Sequence, residues 1–128
     1  MQRLGIATLV LFLVAACSSS KDGPVIGGIY TINNGDGSFG VVKVLVVDSK
    51  LVHVMVYKNK WETRPTSVDT STLSLGSITD KDGFGIAHLP LSRETFDKWQ
   101  PVLVSQQTVS GEELDGYNEW KKDGGGHF

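Results

Sequence analysis

Cysteine is almost missing from this chain: Cys17 is the only one in 128 residues. A single thiol cannot close an intramolecular disulfide, so no disulfide framework supports the fold and stability must come from a hydrophobic core. Charge of one sign is also lacking. Twelve basic and 14 acidic residues give a formal charge of −2, and the longest basic cluster is Lys121-Lys122. That balance gives no basic patch for nucleic acid. No apolar run reaches the roughly 20 residues that a membrane-spanning helix needs.

What is present is the composition of one small globular domain, with 40% apolar and 20% charged residues. The first sixteen residues stand apart. Met1-Gln2-Arg3 is basic, and Leu4–Ala16 follows without a charge. A basic start followed by an apolar region of about 7–15 residues is a signal-peptide pattern.

The end of that segment, Val14-Ala15-Ala16-Cys17, resembles the lipobox of bacterial lipoproteins: an aliphatic residue, two small ones, then cysteine. The resemblance covers the first seventeen residues. It implies cleavage between Ala16 and Cys17, and a diacylglycerol thioether on Cys17, usually with an N-acyl chain such as palmitate. Stable anchoring generally needs more than one chain, at about 0.8 kcal/mol per buried CH₂. In enterobacterial-type lipoproteins an Asp after the cysteine favours inner-membrane retention. Ser18 stands there, so the resemblance implies an outer-membrane lipoprotein facing the periplasm. The expected organisation is a signal peptide at 1–16, a Ser/Gly/Pro-rich flexible tether at 17–27 and a single globular domain at 28–128.

Within the domain, Gly28–Ile32 reads as a strand, and the Asn33–Gly37 cluster as a tight turn. "FGVVKVLVVD" (39–48) and "LVHVMVY" (51–57) are β-branched runs joined by Asp48-Ser49-Lys50. Alternation in the second run puts His53 and Met55 on one face and Val52, Val54 and Val56 on the other. "TLSLGSI" (72–78) predicts a further strand, Ile86–Leu89 a short one stopped by Pro90, and Val102–Val104 another.

Two helix starts follow. Ser92 caps the first, with Glu94 in its first turn and Leu91 stapled to Phe96. Ser110 and Glu113 form a capping box for the second, with Leu114, Tyr117 and Trp120 inward, an end near Lys122 and Gly124 just beyond it. The predicted fold is mainly β (α+β): a small antiparallel curved sheet or SH3-like barrel with two short C-terminal helices. The strand pattern over Gly28–Tyr57 resembles SH3-like bacterial modules, some immunity-protein domains among them.

Candidate chemistry is thin. His53, His88 and His127 show no i, i+2 or i, i+4 spacing that would place two imidazoles on one metal. "DKDG" (80–83) begins like a calcium loop, but Leu91 occupies the position where a bidentate Glu is needed. There is no nucleophile elbow, and "GDGSFG" precedes a strand rather than the helix a phosphate loop requires. The sequence therefore predicts no catalytic residue, no metal and no cofactor. Trp61 and Arg64 are the binding candidates, because Trp and Arg are enriched at interface hot spots and both lie in a connection outside the strands. The expected function is a lipid-anchored, non-enzymatic binding protein of the envelope, attached through Cys17, with a protein partner and no nucleic acid. The alternative is a small histidine-dependent hydrolase or ligand-binding enzyme using His53 or His88.

Overall fold

A computed structural model describes residues 23–128. The signal segment, Cys17 and the first part of the expected tether lie outside the described residues. Five strands form one antiparallel sheet: β1 (Gly28–Asn33), β2 (Phe39–Val47), β3 (Leu51–Val56), β4 (Ile86–Ser92) and β5 (Val102–Gln106). Their order is β4-β3-β2-β1-β5. The sheet is open, so the curved sheet rather than the closed barrel is the form adopted. Register shifts between Ile29 and Tyr30, Val44 and Val46, and Val54 and Val56 are bulges that bend and twist it. Among the described residues no helix is long and apolar enough to cross a membrane.

Alternation along β2 and β3 divides the sheet into two filled faces. One carries Tyr30, Ile32, Val42, Val44, Val52, Val54 and Leu91, closed by Phe96. Phe96 lies on α1 (Arg93–Lys98), whose cap is Ser92: its hydroxyl accepts the Thr95 amide at 3.1 Å. Leu91 and Phe96 flank that cap and are both buried, which is the predicted staple. Tyr30 meets Phe96 edge-on at 5.5 Å between centroids, and its hydroxyl accepts the Val25 amide at 2.9 Å. Contacts to the domain thus begin at Val25, inside the segment expected to be tether. Gly27 takes part as well, donating to the Val44 carbonyl and accepting from Gln107.

The other face carries Ile29, Thr31, Val41, Lys43, His53 and Met55, all buried. It is covered in part by α2 (Asp115–Lys122) and the turn before it. The predicted capping box is present: the Ser110 amide donates to Glu113 Oε1 at 2.9 Å, and Ser110 Oγ accepts the Glu113 amide at 3.1 Å. The first turn is a 3₁₀ turn at Glu112–Leu114, which leads into α2. Gly124 has φ +97°, the left-handed conformation expected just past the helix.

Two strand expectations are corrected. Residues 72–78 form no strand. A 3₁₀ turn at Thr70–Thr72 is followed by irregular chain tied down through the Ser74 and Leu75 carbonyls, which accept from Lys58 and Gly85. Gly76 at φ +67° interrupts any extended ladder there. β4 is not stopped by Pro90 but runs through it to Ser92. A proline is tolerated where its missing N–H breaks no ladder bond, and β4 is the last strand of the sheet.

Candidate functional site

The β2–β3 turn, β4 and α2 converge on the second face around His53. This residue has no exposed surface. Its Nδ1 lies 3.0 Å from His88 Nε2, so one ring donates and the other accepts. The two rings are stacked at 5.2 Å between centroids. From α2, Tyr117 and Trp120 meet His53 edge-on at 4.8 and 4.6 Å. The helix approaches closely because Gly116 faces His88: a Cβ on residue 116 would sit 2.6 Å from His88 Cβ. Burial pushes the His53 imidazole below its ordinary pKa, with Asp48 pulling the other way. Burial, and then the charge on His53, push His88 down too. Both rings are therefore neutral near pH 7.

Asp48 lies in the β2–β3 turn. Its Oδ1 accepts the amides of Lys50 at 2.9 Å and Leu51 at 2.7 Å, and these bonds hold its carboxyl below the usual range. Its Oδ2 is 3.5 Å from His53 Nε2. That is longer than a well-formed hydrogen bond, and Nε2 is buried without a partner. An orphaned buried polar atom costs about 1–3 kcal/mol. Among the described residues no three His, Cys, Asp or Glu side chains stand together closely enough to hold a metal ion.

Next to this cluster, Lys43 is buried at 3% exposure. Its ammonium donates to Glu113 Oε1 and Oε2 at 2.9 and 3.1 Å and to the Thr108 carbonyl at 2.8 Å. Burial pushes the Glu113 carboxyl up, but the Ser110 bonds and Lys43 outweigh it and hold the group below its ordinary value. The Tyr57 phenol is pushed up to about 12, first by burial and then by Glu113. A cation this deep is kept in place by a complete set of acceptors.

Trp61 and Arg64 come together at the Phe39 end of β2. The Trp61 backbone exchanges two hydrogen bonds with Phe39, at 2.8 and 2.9 Å. Arg64 Nη1 donates to the Thr31 carbonyl at 3.1 Å and to Thr31 Oγ1 at 2.9 Å, and its guanidinium lies 5.1 Å from the Phe39 ring centroid. Its observed bonds are intramolecular. Trp61 is half-buried.

The long connection from Tyr57 to Gly85 leaves the sheet near these two residues. Its "DKDG" carboxylates are turned inward on the chain: Asp80 and Asp82 lie 2.9 and 3.4 Å from Lys58 Nζ. A cleft of about 230 Å³ is lined by Asp36, Tyr57, Lys58, Lys60, Asp82 and Phe84. Ile78, Phe84 and Ile86 are exposed at 79%, 55% and 41%.

The residues that sequence reasoning missed are Asp48, Lys43 and Glu113 as partners, and the contact between His53 and His88. The 35 residues separating the histidines carry no local spacing signal. No protein-family model, curated protein or solved structure matches the chain.

Proposed function

We propose that the protein is a lipid-anchored, periplasm-facing binding protein of the outer membrane without catalytic activity, an immunity or envelope-associated lipoprotein. Its partner is another protein. The lipobox at Val14–Cys17 supports the anchor. The anchor's effect is to raise the local concentration of a binder whose target arrives at the membrane.

The binding reading is carried by the Tyr57–Gly85 connection. It presents Ile78 and Phe84 to solvent, and Phe84 lines a cleft that holds both signs of charge. Exposed apolar side chains rimmed by charge are the surface pattern of a protein–protein contact. Trp61 and Arg64 sit at the root of this connection and belong to the proposed binding region.

Two measurements test the proposal. Mass spectrometry of the mature N-terminus should show a lipidated Cys17, and an unmodified cysteine there would overturn the anchor. Pull-down from envelope extract should recover one specific protein, and that recovery should fall at least tenfold with Ile78→Ser/Phe84→Ser. Recovery of nothing at low and moderate salt, or recovery unchanged by the double variant, would overturn the binding surface. The second reading, a histidine-dependent hydrolase, draws on the His53–His88 contact beside Asp48. With His53 fully buried, it requires α2 to move before a substrate could reach that ring.

A further inference from the structure

Two imidazoles share one hydrogen beneath α2. His53 Nδ1 and His88 Nε2 are 3.0 Å apart, so one proton fits between them, whichever ring carries it. The pair can take one further proton on an outer nitrogen without breaking this contact, because an imidazolium donates as a neutral ring does. It cannot take two. Both facing nitrogens would then carry hydrogen, and two cations would stand in contact in a buried place. The surroundings offer little compensation. Asp48, from the β2–β3 turn, is the one carboxylate among the described residues in ion-pair contact with either ring, at 3.5 Å from His53 Nε2. From α2, Tyr117 and Trp120 meet His53 edge-on, and the Lys121 ammonium lies 5.8 Å from the Tyr117 ring centroid. Asp115 and Glu119 of the same helix are exposed. On β2, Lys43 is already paired with Glu113. The tail and the turn bring His127 and Lys50 to the cavity that Asp48 lines.

α2 has only eight residues and rests on this pair through Gly116, Tyr117 and Trp120. Trp120 also holds the tail, because its Nε1 donates to the Gly126 carbonyl at 2.6 Å. The buried cluster on the opposite face, closed by Phe96, contains no histidine and no carboxylate. We propose that the His53–His88 pair is an acid-sensitive latch: in mild acid the second proton parts the rings, and α2 leaves the second face with the tail while the sheet and its first face persist. With α2 away, both rings reach water and take protons near their ordinary pKa of about 6.5. With α2 docked, burial holds both lower, and the charge on His53 adds to the effect on His88. Docking is therefore at full strength above about pH 6.5 and weakens as pH falls from there toward the docked values, by about tenfold per pH unit for each proton refused. The proposal is independent of the anchor and of the protein partner.

The test is amide hydrogen exchange of the full chain at about pH 7.5 and about pH 5.5, corrected for the intrinsic pH dependence of exchange. The lower value stays above the range in which Glu113 titrates, so its ion pair with Lys43 is intact at both. Protection of the Glu119–Lys122 amides should fall about tenfold between the two, while the amides of Val42, Val44 and Val54 keep theirs. Equal protection of α2 at both values, or an equal loss in β2 and β3, overturns the latch. His88→Gln leaves His53 Nδ1 a partner but takes no proton, so the loss should shrink to about threefold or less; an undiminished loss overturns the proposal. If that variant does not fold, ¹⁵N imidazole titration of the unaltered chain decides. Uptake of fewer than two protons by the pair while α2 stays protected supports the latch, and uptake of both overturns it.

Discussion

Lys43, in the middle of β2, donates to both carboxylate oxygens of Glu113, 70 residues further along the chain. This ion pair fastens the C-terminal segment to the sheet. Removing one partner of a buried pair leaves an uncompensated charge and costs about 3–5 kcal/mol, whereas replacing both with apolar groups is much less damaging. Glu113 is 24% exposed and the Thr108 carbonyl still serves Lys43, so the low end applies. Glu113→Ala should cost about 3 kcal/mol, and Lys43→Met with Glu113→Leu should cost less. Urea unfolding of the three chains measures this, and a double variant weaker than the single one would refute it.

The same pair sets a pH dependence. The folded-state pKa of Glu113 lies below its ordinary value. The stabilisation it contributes is therefore fully present above the unfolded value of about 4.3, and is lost as pH falls through the folded value. The urea midpoint of the unaltered chain should drop as pH falls below about 5. Glu113→Gln should flatten that drop. An equally steep decline in the variant would assign acid sensitivity to other carboxylates.

Gly116 and Gly111 make a matched pair. A Cβ at 116 would lie 2.6 Å from His88 Cβ, while a Cβ at 111 meets nothing within 4 Å. Gly116→Ala should destabilise by about 1–3 kcal/mol through overpacking, despite the gain of up to about 1 kcal/mol in helix propensity. Gly111→Ala should be close to neutral. Thermal unfolding, with near-UV circular dichroism of Trp120, separates the two.

Arg64 is open to a double reading that one substitution resolves. Thr31 is fully buried, and Arg64 supplies hydrogen bonds to its carbonyl and hydroxyl. Arg64→Ala should lower stability by about 1–3 kcal/mol because acceptors on Thr31 lose a donor. Stability unchanged in Arg64→Ala would remove this structural role and leave only the proposed binding role.

Phe96 closes the face made by Tyr30, Val42, Val44, Val52 and Val54. Phe96→Ala should cost about 3–5 kcal/mol and Phe96→Leu distinctly less. In a small domain the first change approaches the whole stability. Loss of a cooperative transition in the alanine variant alone is the expected outcome.

Much of this fold was legible because its signals are local. β-branched alternation in "LVHVMVY" separated Val52 and Val54 from His53 and Met55, and the core respects that division: the two valines join the cluster closed by Phe96, while His53 and Met55 are buried on the other face. Ser92, Ser110, Glu113 and Gly124 marked the helix ends, because capping joins residues three or four apart. Residues 72–78 misled for the same reason: Leu73 and Leu75 alternate with polar residues, but no neighbouring strand takes them up. Pro90 misled in the opposite sense, since its meaning depends on whether its strand lies at an edge, and the sheet order decides that.

By itself, the sequence determined the positions of all five strands, apart from the end of β4, both helix starts and a core on one face of the sheet. These follow from side-chain period, turn chemistry and caps, which act over a few residues. Only the tertiary structure decided that β5 returns to pair with β1, that the second face is also buried, and that Asp48, His53, His88 and Trp120 converge. Those contacts depend on sheet order and on where the chain recrosses a face. Their partners stand tens of residues apart, where local pattern carries no information about distance in space.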